Sequence, residues 1–337
     1  MHVTKNLLST GAKNVVFDCM KITSSDRVVL ISDKATDKIS AELQKQIAKT
    51  GAALLLIHME DHGTRPMTSF PNAMKKAITD FAPTVSIFAG QGQKGELGFR
   101  SPMIKHVLEL GVRHGHMIGI VEDIMHSGMQ ADYKEVDLIT RKVYSVVKNA
   151  KHVTVTTPAG TDLSVDLGFK WKLCTGLLHK PGDWSNLPDG ELFTTPRNIN
   201  GTLVVDGCLG DWMTEKYGKL KTPVRIEIVD GYATSITCLD KEIEKDVREY
   251  LAQHKNSNRV GEFAVGTNLA LTELIGNLLQ DEKFPGIHVA FGHPYPEDTG
   301  VSWDCPSHLD CVLRKTTIVV DGKTIMRDGR FEKEILG

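Results

Sequence analysis

Short apolar runs alternate with amphipathic segments through the first 121 residues. Aliphatic and β-branched side chains are concentrated at residues 27–32, 52–57, 84–88 and 116–121, and the segments between these runs carry apolar residues at the spacing of one helix face. Strands that alternate with helices are joined by right-handed crossovers, which produce a parallel sheet covered on both faces. The pattern therefore predicts an α/β domain, closed by a helix over residues 133–149.

The second half has a different pattern. Strand-like runs occur at residues 152–156, 202–206, 224–228 and 316–320, and Asp-Gly pairs stand at 206–207, 230–231, 321–322 and 328–329. Asp-Gly between such runs predicts hairpins, because both turn residues need positive φ. Helices are predicted at 242–254 and 270–279. A chain of 337 residues suits two domains, and we expect an α/β domain over 1–150 and a β-rich α+β domain over 151–337.

Charge and cysteine usage narrow the class of protein. Lys plus Arg number 40 and Asp plus Glu 42, so the net charge of −2 favours neither a nucleic acid nor a membrane surface as a partner. No apolar run is long enough to span a bilayer, and the N-terminus does not resemble a secretory signal. The six cysteines are scattered without a C-x-x-C pair, which is typical of reduced thiols. We expect a cytoplasmic protein.

One glycine-rich motif suggests a nucleotide site. Residues 90–95 read G-Q-G-Q-K-G, which matches the dinucleotide fingerprint after a predicted strand. The match follows the third strand instead of the first, and Glu109, about 20 residues on, lies within a predicted helix instead of at a strand end. We interpret the motif as a loop. A non-catalytic small-molecule binder built on this loop stays open as an alternative.

A set of donor side chains in the second half indicates metal chemistry. On a strand, His308 and Asp310 point to the same face and can bind one ion. Glu262 stands in an apolar run, and a buried carboxylate needs a cation. Oxygen and nitrogen donors without sulfur suit zinc, cobalt, manganese or ferrous iron. The set comprises Glu191, Glu262, His288, Tyr295, His308 and Asp310.

The segments that carry these residues read G-E-L-F-T-T-P, G-E-F-A-V-G-T-N, H-V-A-F-G-H-P-Y and H-L-D. In order and spacing they resemble the thermophilic metalloaminopeptidases of the aminopeptidase T and S type, which are leucyl aminopeptidase-like. The resemblance implies that all six residues bind two divalent metal ions. It also implies an N-terminal α/β domain, a C-terminal metal domain and a homodimer.

The function expected from this resemblance is dinuclear, metal-dependent hydrolysis. An aminopeptidase of this kind releases N-terminal residues from a peptide, or cleaves a small amide, with water activated by two ions of zinc, cobalt or manganese. Glu191 and Glu262 are the candidate catalytic residues, one as a ligand and the other as a ligand or proton shuttle. The segment between Tyr295 and His308 is shorter than is usual in aminopeptidases, which leaves peptide specificity open.

The alternative within the same superfamily is a mononuclear Fe(II) ring-cleaving dioxygenase, similar to 2,5-dihydroxypyridine dioxygenase. Such an enzyme also uses a late histidine and an H-x-D pair, but it does not need both glutamates. The presence of both Glu191 and Glu262 in the sequence favours the hydrolase. The number of metal ions per chain separates the two.

Overall fold

A computed structural model describes residues 6–210 and 212–336. The strands are β1 (Arg27–Ser32), β2 (Ala53–His58), β3 (Val85–Gly90), β4 (Arg113–Ile118), β5 (His152–Thr156), β6 (Asp162–Asp166), β7 (Lys172–Cys174), β8 (Trp184–Asn186), β9 (Glu191–Thr194), β10 (Asn198–Val205), β11 (Val224–Val229), β12 (Tyr232–Cys238), β13 (Val260–Gly266), β14 (Gly286–Gly292), β15 (His308–Val312), β16 (Thr317–Val320), β17 (Lys323–Arg327) and β18 (Arg330–Phe331). The α-helices are α1 (Leu7–Lys13), α2 (Asp37–Thr50), α3 (Asn72–Phe81), α4 (Leu97–Glu109), α5 (Glu122–Met125), α6 (Tyr133–Val147), α7 (Trp212–Tyr217), α8 (Lys241–Ala252), α9 (Leu278–Asp281), α10 (Pro296–Thr299) and α11 (Lys333–Leu336).

The chain divides into two compact units. The first runs to Glu135 and takes in Gly176–Asp189, and the second comprises Val136–Thr175 and the chain from Gly190 onward. This division differs from the single boundary expected at residue 150. The later segment belongs to the first unit because it contains β8, which pairs with β4. A three-residue strand that returns to an earlier sheet leaves almost no periodic signal in the sequence.

The first unit is built on a parallel sheet in the order β2-β1-β3-β4-β8. The strand–helix alternation in the sequence predicted this sheet, and the prediction is confirmed. The fourth strand begins and ends three residues earlier than the predicted 116–121. One buried cluster joins Val29 and Ile31 of β1 to Ile78 of α3 and Met103 of α4.

The second unit contains two antiparallel sheets, in the orders β12-β11-β10-β6-β5-β16-β17-β18 and β15-β14-β13-β9-β7. The prediction of a largely antiparallel second half is confirmed. Three of the four Asp-Gly pairs have positive φ at both residues and close hairpins, at 230–231, 321–322 and 328–329. The pair at 206–207 does not form a hairpin, because the Gly207 N–H donates instead to the carbonyl of Val312.

The helix predicted over residues 270–279 is wrong. Within that stretch only the start of α9, at Leu278, is helical. The Asn268 side chain accepts the N–H of Ala270, and the Asp281 carboxylate accepts those of Ile275 and Gly276. Side-chain acceptors that bind backbone N–H groups compete with helical hydrogen bonds and favour turns.

Across residues 6–210 and 212–336, none of the helices is both long enough and apolar enough to cross a membrane.

Candidate metal site

Five of the six predicted ligands lie on one face of the sheet β15-β14-β13-β9-β7. Strand register shows this directly, because directly opposed residues share a face. Glu191 of β9 opposes Gly266 of β13, and His288 of β14 opposes Ala264 of β13. Glu262 opposes Ala290, which in turn opposes Asp310. The strands thus bring residues separated by 119 positions of sequence onto one surface.

The two faces of this sheet differ in side-chain size. Phe263, Val265, Val289 and Leu309 alternate with the site residues and are buried in the main core of the second unit. On the site face, the positions between the donors are small, including Ala264, Gly266, Ala290 and Gly292. Small neighbours leave room for the longer carboxylate and imidazole side chains to converge.

Both histidines predicted as ligands are oriented by backbone carbonyls. The Nδ1 atom of His288 lies 3.1 Å from the carbonyl oxygen of Glu282, and that of His308 lies 3.1 Å from the carbonyl of His293. When the ring is neutral, an Nδ1–H that donates to a carbonyl leaves the lone pair of Nε2 to bind a metal ion. This arrangement typically fixes the tautomer of a metal-binding histidine.

Both Nε2 atoms face carboxylate oxygens. His308 Nε2 lies 3.2 Å from Asp310 Oδ1 and 3.5 Å from Glu262 Oε2. His288 Nε2 lies 3.1 Å from Glu262 Oε1, 3.7 Å from Glu191 Oε2 and 3.9 Å from Asp310 Oδ1. These residues form overlapping groups whose donor atoms lie within 4.8 Å of one another. The donor set therefore fits a divalent cation.

Two further charged residues complete the cluster. Lys283 is 1% exposed, and its Nζ lies 2.5 Å from Glu191 Oε1 and 2.8 Å from Glu282 Oε1. Glu282 also belongs to a possible ligand group with His288 and Asp310. Neither residue was predicted from the sequence, although Asp281, Glu282 and Lys283 form a charged run that only Phe284 and Pro285 separate from the buried strand β14. Such a run is an unusual entry to a core strand and is a usable signal.

Tyr295 stands at the side of the cluster in an aromatic group. Its ring centroid lies 5.2 Å from that of His308, 4.6 Å from that of His293 and 5.1 Å from that of Phe193. Its backbone is left-handed, at φ 50°, which turns the chain sharply between two prolines. His293 was not predicted as a site residue. It supports His308 through its carbonyl, and its own ring faces Asp304 at 3.3 Å.

The electrostatics of the cluster reflect closely packed carboxylates. Burial acts to lower the pKa of His288, but the hydrogen bond to Glu262 and the charges of nearby carboxylates raise it to about 9. Burial also acts to lower the pKa of His308, but Asp310 and Glu262 raise it to about 10. Burial raises the pKa of Glu282 to about 7. The site attracts positive charge, as a buried cation site must.

The glycine motif at residues 90–95 is bound by side chains of its own unit. The N–H of Gln91 donates to Asp33 Oδ2 at 2.7 Å, and that of Gln93 donates to Glu96 Oε2 at 3.1 Å. Arg65 joins the same two carboxylates. A phosphate-binding loop offers its N–H groups to a ligand, and here two of those groups bind carboxylates. This observation supports interpreting the motif as a structural loop.

The fold and the candidate metal ligands are those of a metal-dependent enzyme. A family model described as NicX: 2,5-dihydroxypyridine 5,6-dioxygenase matches residues 10–265. The chain belongs to this family. Among curated proteins, none matches it in sequence.

Two solved structures share the fold over nearly the whole chain. The 2,5-dihydroxypyridine dioxygenase of Pseudomonas putida has a TM-score of 0.72 at 18% identity, with 96% of each chain covered. AmpT, aminopeptidase T, of Thermus thermophilus has a TM-score of 0.71 at 16% identity, with 97% of this chain and 99% of that chain covered. The resemblance to aminopeptidase T is thus found at the level of fold, whereas the family match points to the dioxygenases.

Proposed function

We propose that the protein is a mononuclear Fe(II)-dependent dioxygenase that cleaves the ring of a hydroxylated pyridine, with 2,5-dihydroxypyridine as the first substrate to test. Family membership supports this proposal. The observation that carries it is the arrangement of His288 and His308 around Asp310 Oδ1, at 3.9 Å and 3.2 Å. Two histidines and one carboxylate with open positions form the ligand set of non-haem Fe(II) oxygenases.

Both distances to Asp310 Oδ1 suit one ion, although His288 and His308 occur in separate candidate ligand groups that each contain Glu262 or Asp310. Metal–ligand bonds of about 2.1 Å place neighbouring ligand atoms about 3 Å apart. The separation of 3.2 Å between His308 Nε2 and Asp310 Oδ1 matches this value closely. The separation of 3.9 Å from Asp310 Oδ1 to His288 Nε2 is also compatible with a shared ion at a wider angle. These three residues would hold the iron.

An apolar surface beside the donors suits an aromatic substrate. Phe193, Ala264 and Cys174 form a buried apolar group against which Tyr295 packs. The rings of Phe193 and Tyr295 are tilted by 50° to each other. Aromatic side chains pack favourably against planar rings in offset or edge-to-face contacts. This surface lies on the site face of the sheet, because Phe193 opposes Ala264.

Ferrous iron, when bound, supplies the one-electron chemistry that allows dioxygen to react with an aromatic ring. The reaction breaks the bond between ring carbons 5 and 6 and forms one C–O bond at each, so both oxygen atoms enter the product without an external reductant. Glu262 would accept the proton of the substrate hydroxyl at Oε2. That atom lies 3.5 Å from His308 Nε2, at the edge of the proposed triad.

The test is oxygen uptake by protein loaded anaerobically with Fe(II) and then given 2,5-dihydroxypyridine. We expect oxygen consumption together with loss of the ring absorbance, and neither in the Asp310→Asn variant. A protein that retains iron but consumes no oxygen with any hydroxypyridine would refute the proposal.

A second candidate is the dinuclear aminopeptidase. One observation favours it: the two oxygens of Glu262 face different histidines, Oε1 towards His288 at 3.1 Å and Oε2 towards His308 at 3.5 Å. A carboxylate placed in this way can bridge two ions. Release of p-nitroaniline from aminoacyl p-nitroanilides by protein holding two ions per chain would support this candidate over the dioxygenase.

A further inference from the structure

We propose that Lys283 acts as a resident cation that occupies the position of a second metal ion and limits the site to one. This inference rests on the metal centre of the proposed function, but not on its reaction. It assigns to a lysine the task of neutralising two of the four clustered carboxylates.

The contacts of Lys283 divide the cluster into two sides. On one side, its Nζ lies 2.5 Å from Glu191 Oε1 and 2.8 Å from Glu282 Oε1. On the other side, His308 lies 3.2 Å from Asp310. His288 stands between them, within 3.9 Å of both Glu191 and Asp310. The ammonium thus serves the Glu191 side, while the imidazole side remains for an ion.

The backbone holds Lys283 in this place. Its N–H donates to the carbonyl of Gln280 at 2.9 Å, and its carbonyl accepts the N–H of Asn268 at 3.1 Å. Gly266 opposes Glu191 in the sheet, and a Cβ on Gly266 would lie 2.0 Å from the carbonyl oxygen of Phe284 and 2.9 Å from the carbonyl carbon of Lys283. The missing side chain lets the Lys283 segment pass directly over β13 towards Glu191.

The electrostatic consequence follows from charge and distance. A buried ammonium is stable only beside carboxylates, and a divalent ion on the same carboxylate would repel it strongly at low dielectric. Lys283 is 1% exposed, so it has no short route to solvent if it is displaced. A second ion on Glu191 therefore has to expel Lys283, remove its proton or bury like charges together. Each of these events disfavours the second ion.

The experiment counts metal ions per chain by elemental analysis after equilibrium dialysis against Mn(II) or Zn(II). We expect one ion in the unmodified protein and in the Lys283→Arg variant, which keeps the charge. In Lys283→Asn the ammonium is replaced by a neutral oxygen donor, and we expect the count to rise towards two. Two ions in the unmodified protein, or a folded Lys283→Asn variant that still holds one ion, would overturn the proposal.

A Glu191→Gln variant provides an independent measurement if Lys283→Asn does not fold. Because Glu191 is engaged by Lys283, we expect one ion to remain, with an affinity lowered by less than the 10–100-fold that loss of a supporting group typically produces. Loss of the ion from Glu191→Gln would contradict the proposal. One ion per chain without oxygen uptake would instead refute the proposed reaction and leave the role of Lys283 standing.

Discussion

The position of His308 depends on the hydroxyl oxygen of Tyr250, which binds both backbone polar groups of His308. Tyr250 lies on α8 and is 5% exposed. Its hydroxyl donates to the carbonyl of His308 at 2.9 Å and accepts the N–H of His308 at 3.2 Å. It thus satisfies both backbone groups at the first residue of β15. Tyr250→Phe removes this one oxygen and keeps the ring.

The magnitude follows from the two groups that lose their partner. A buried polar group left without a hydrogen bond costs about 1–3 kcal/mol, so we expect the free energy of unfolding to fall by at least about 1 kcal/mol. The affinity for the metal ion should fall as well, by about 10–100-fold, because the support of a ligand is lost. Denaturant unfolding of metal-free protein measures the first effect, and metal titration measures the second.

Tyr217→Phe is the matched control. The Tyr217 hydroxyl donates to Asp246 at 2.5 Å, where the surroundings are more exposed and no ligand is involved. It should leave metal affinity unchanged. If Tyr250→Phe lowered stability but left metal affinity at the unmodified value, the inference that Tyr250 positions His308 would be wrong. Equal effects of the two variants on metal affinity would also refute it.

Three further predictions address other parts of the molecule. Glu262→Gln should abolish turnover and leave the circular dichroism spectrum unchanged, because a neutral amide replaces the carboxylate whose two oxygens face His288 and His308. Activity at the unmodified level would contradict a catalytic role. Gly210→Ala should weaken metal binding, since a Cβ there would lie 2.8 Å from the backbone nitrogen of Asp310 and 2.9 Å from its Oδ2; the check is metal titration, and an unaltered affinity would show that Asp310 can move without consequence. Burial lowers the pKa of His114 to about 3, so the unfolded chain binds that proton more tightly, and stability present above about pH 6.5 should be lost as the pH falls towards 3. The loss should be shallower in His114→Gln when both proteins are unfolded in denaturant at several pH values, and identical slopes would refute the assignment.

The sequence patterns predicted the elements whose signals are periodic. The strands at 27–32 and 85–90 and the helix at 133–147 stand close to their predicted bounds, because burial on two faces or on one helix stripe repeats along the chain. The spacing of His308 and Asp310 also predicted that both side chains lie on one face of a strand, and the register of β15 with β14 agrees. What these patterns could not show was the pairing of β8 with β4, which depends on contacts far apart in sequence.

The sequence predicted only part of the candidate site, because some of its members are recognisable only by contacts between distant residues. Six donor positions were expected, and the strand register brings five of them onto one face of a sheet. Glu282 and Lys283 were missed because the charged run at 281–283 does not by itself show that Lys283 pairs with both Glu191 and Glu282. The choice between hydrolase and dioxygenase also lay beyond the residue types, since both classes use the same late histidines and carboxylate. The family match favours the dioxygenase over the hydrolase.

The most direct test of the proposed chemistry is isotopic. Fe(II)-loaded protein is given 2,5-dihydroxypyridine under isotopically labelled dioxygen in ordinary water, and the ring-opened product is analysed by mass spectrometry. A ring-cleaving dioxygenase places both labelled atoms in each product molecule. A product whose added oxygen comes only from water would contradict the proposal. Hydrolysis of a dipeptide with no uptake of dioxygen would also contradict it and would favour a dinuclear hydrolase.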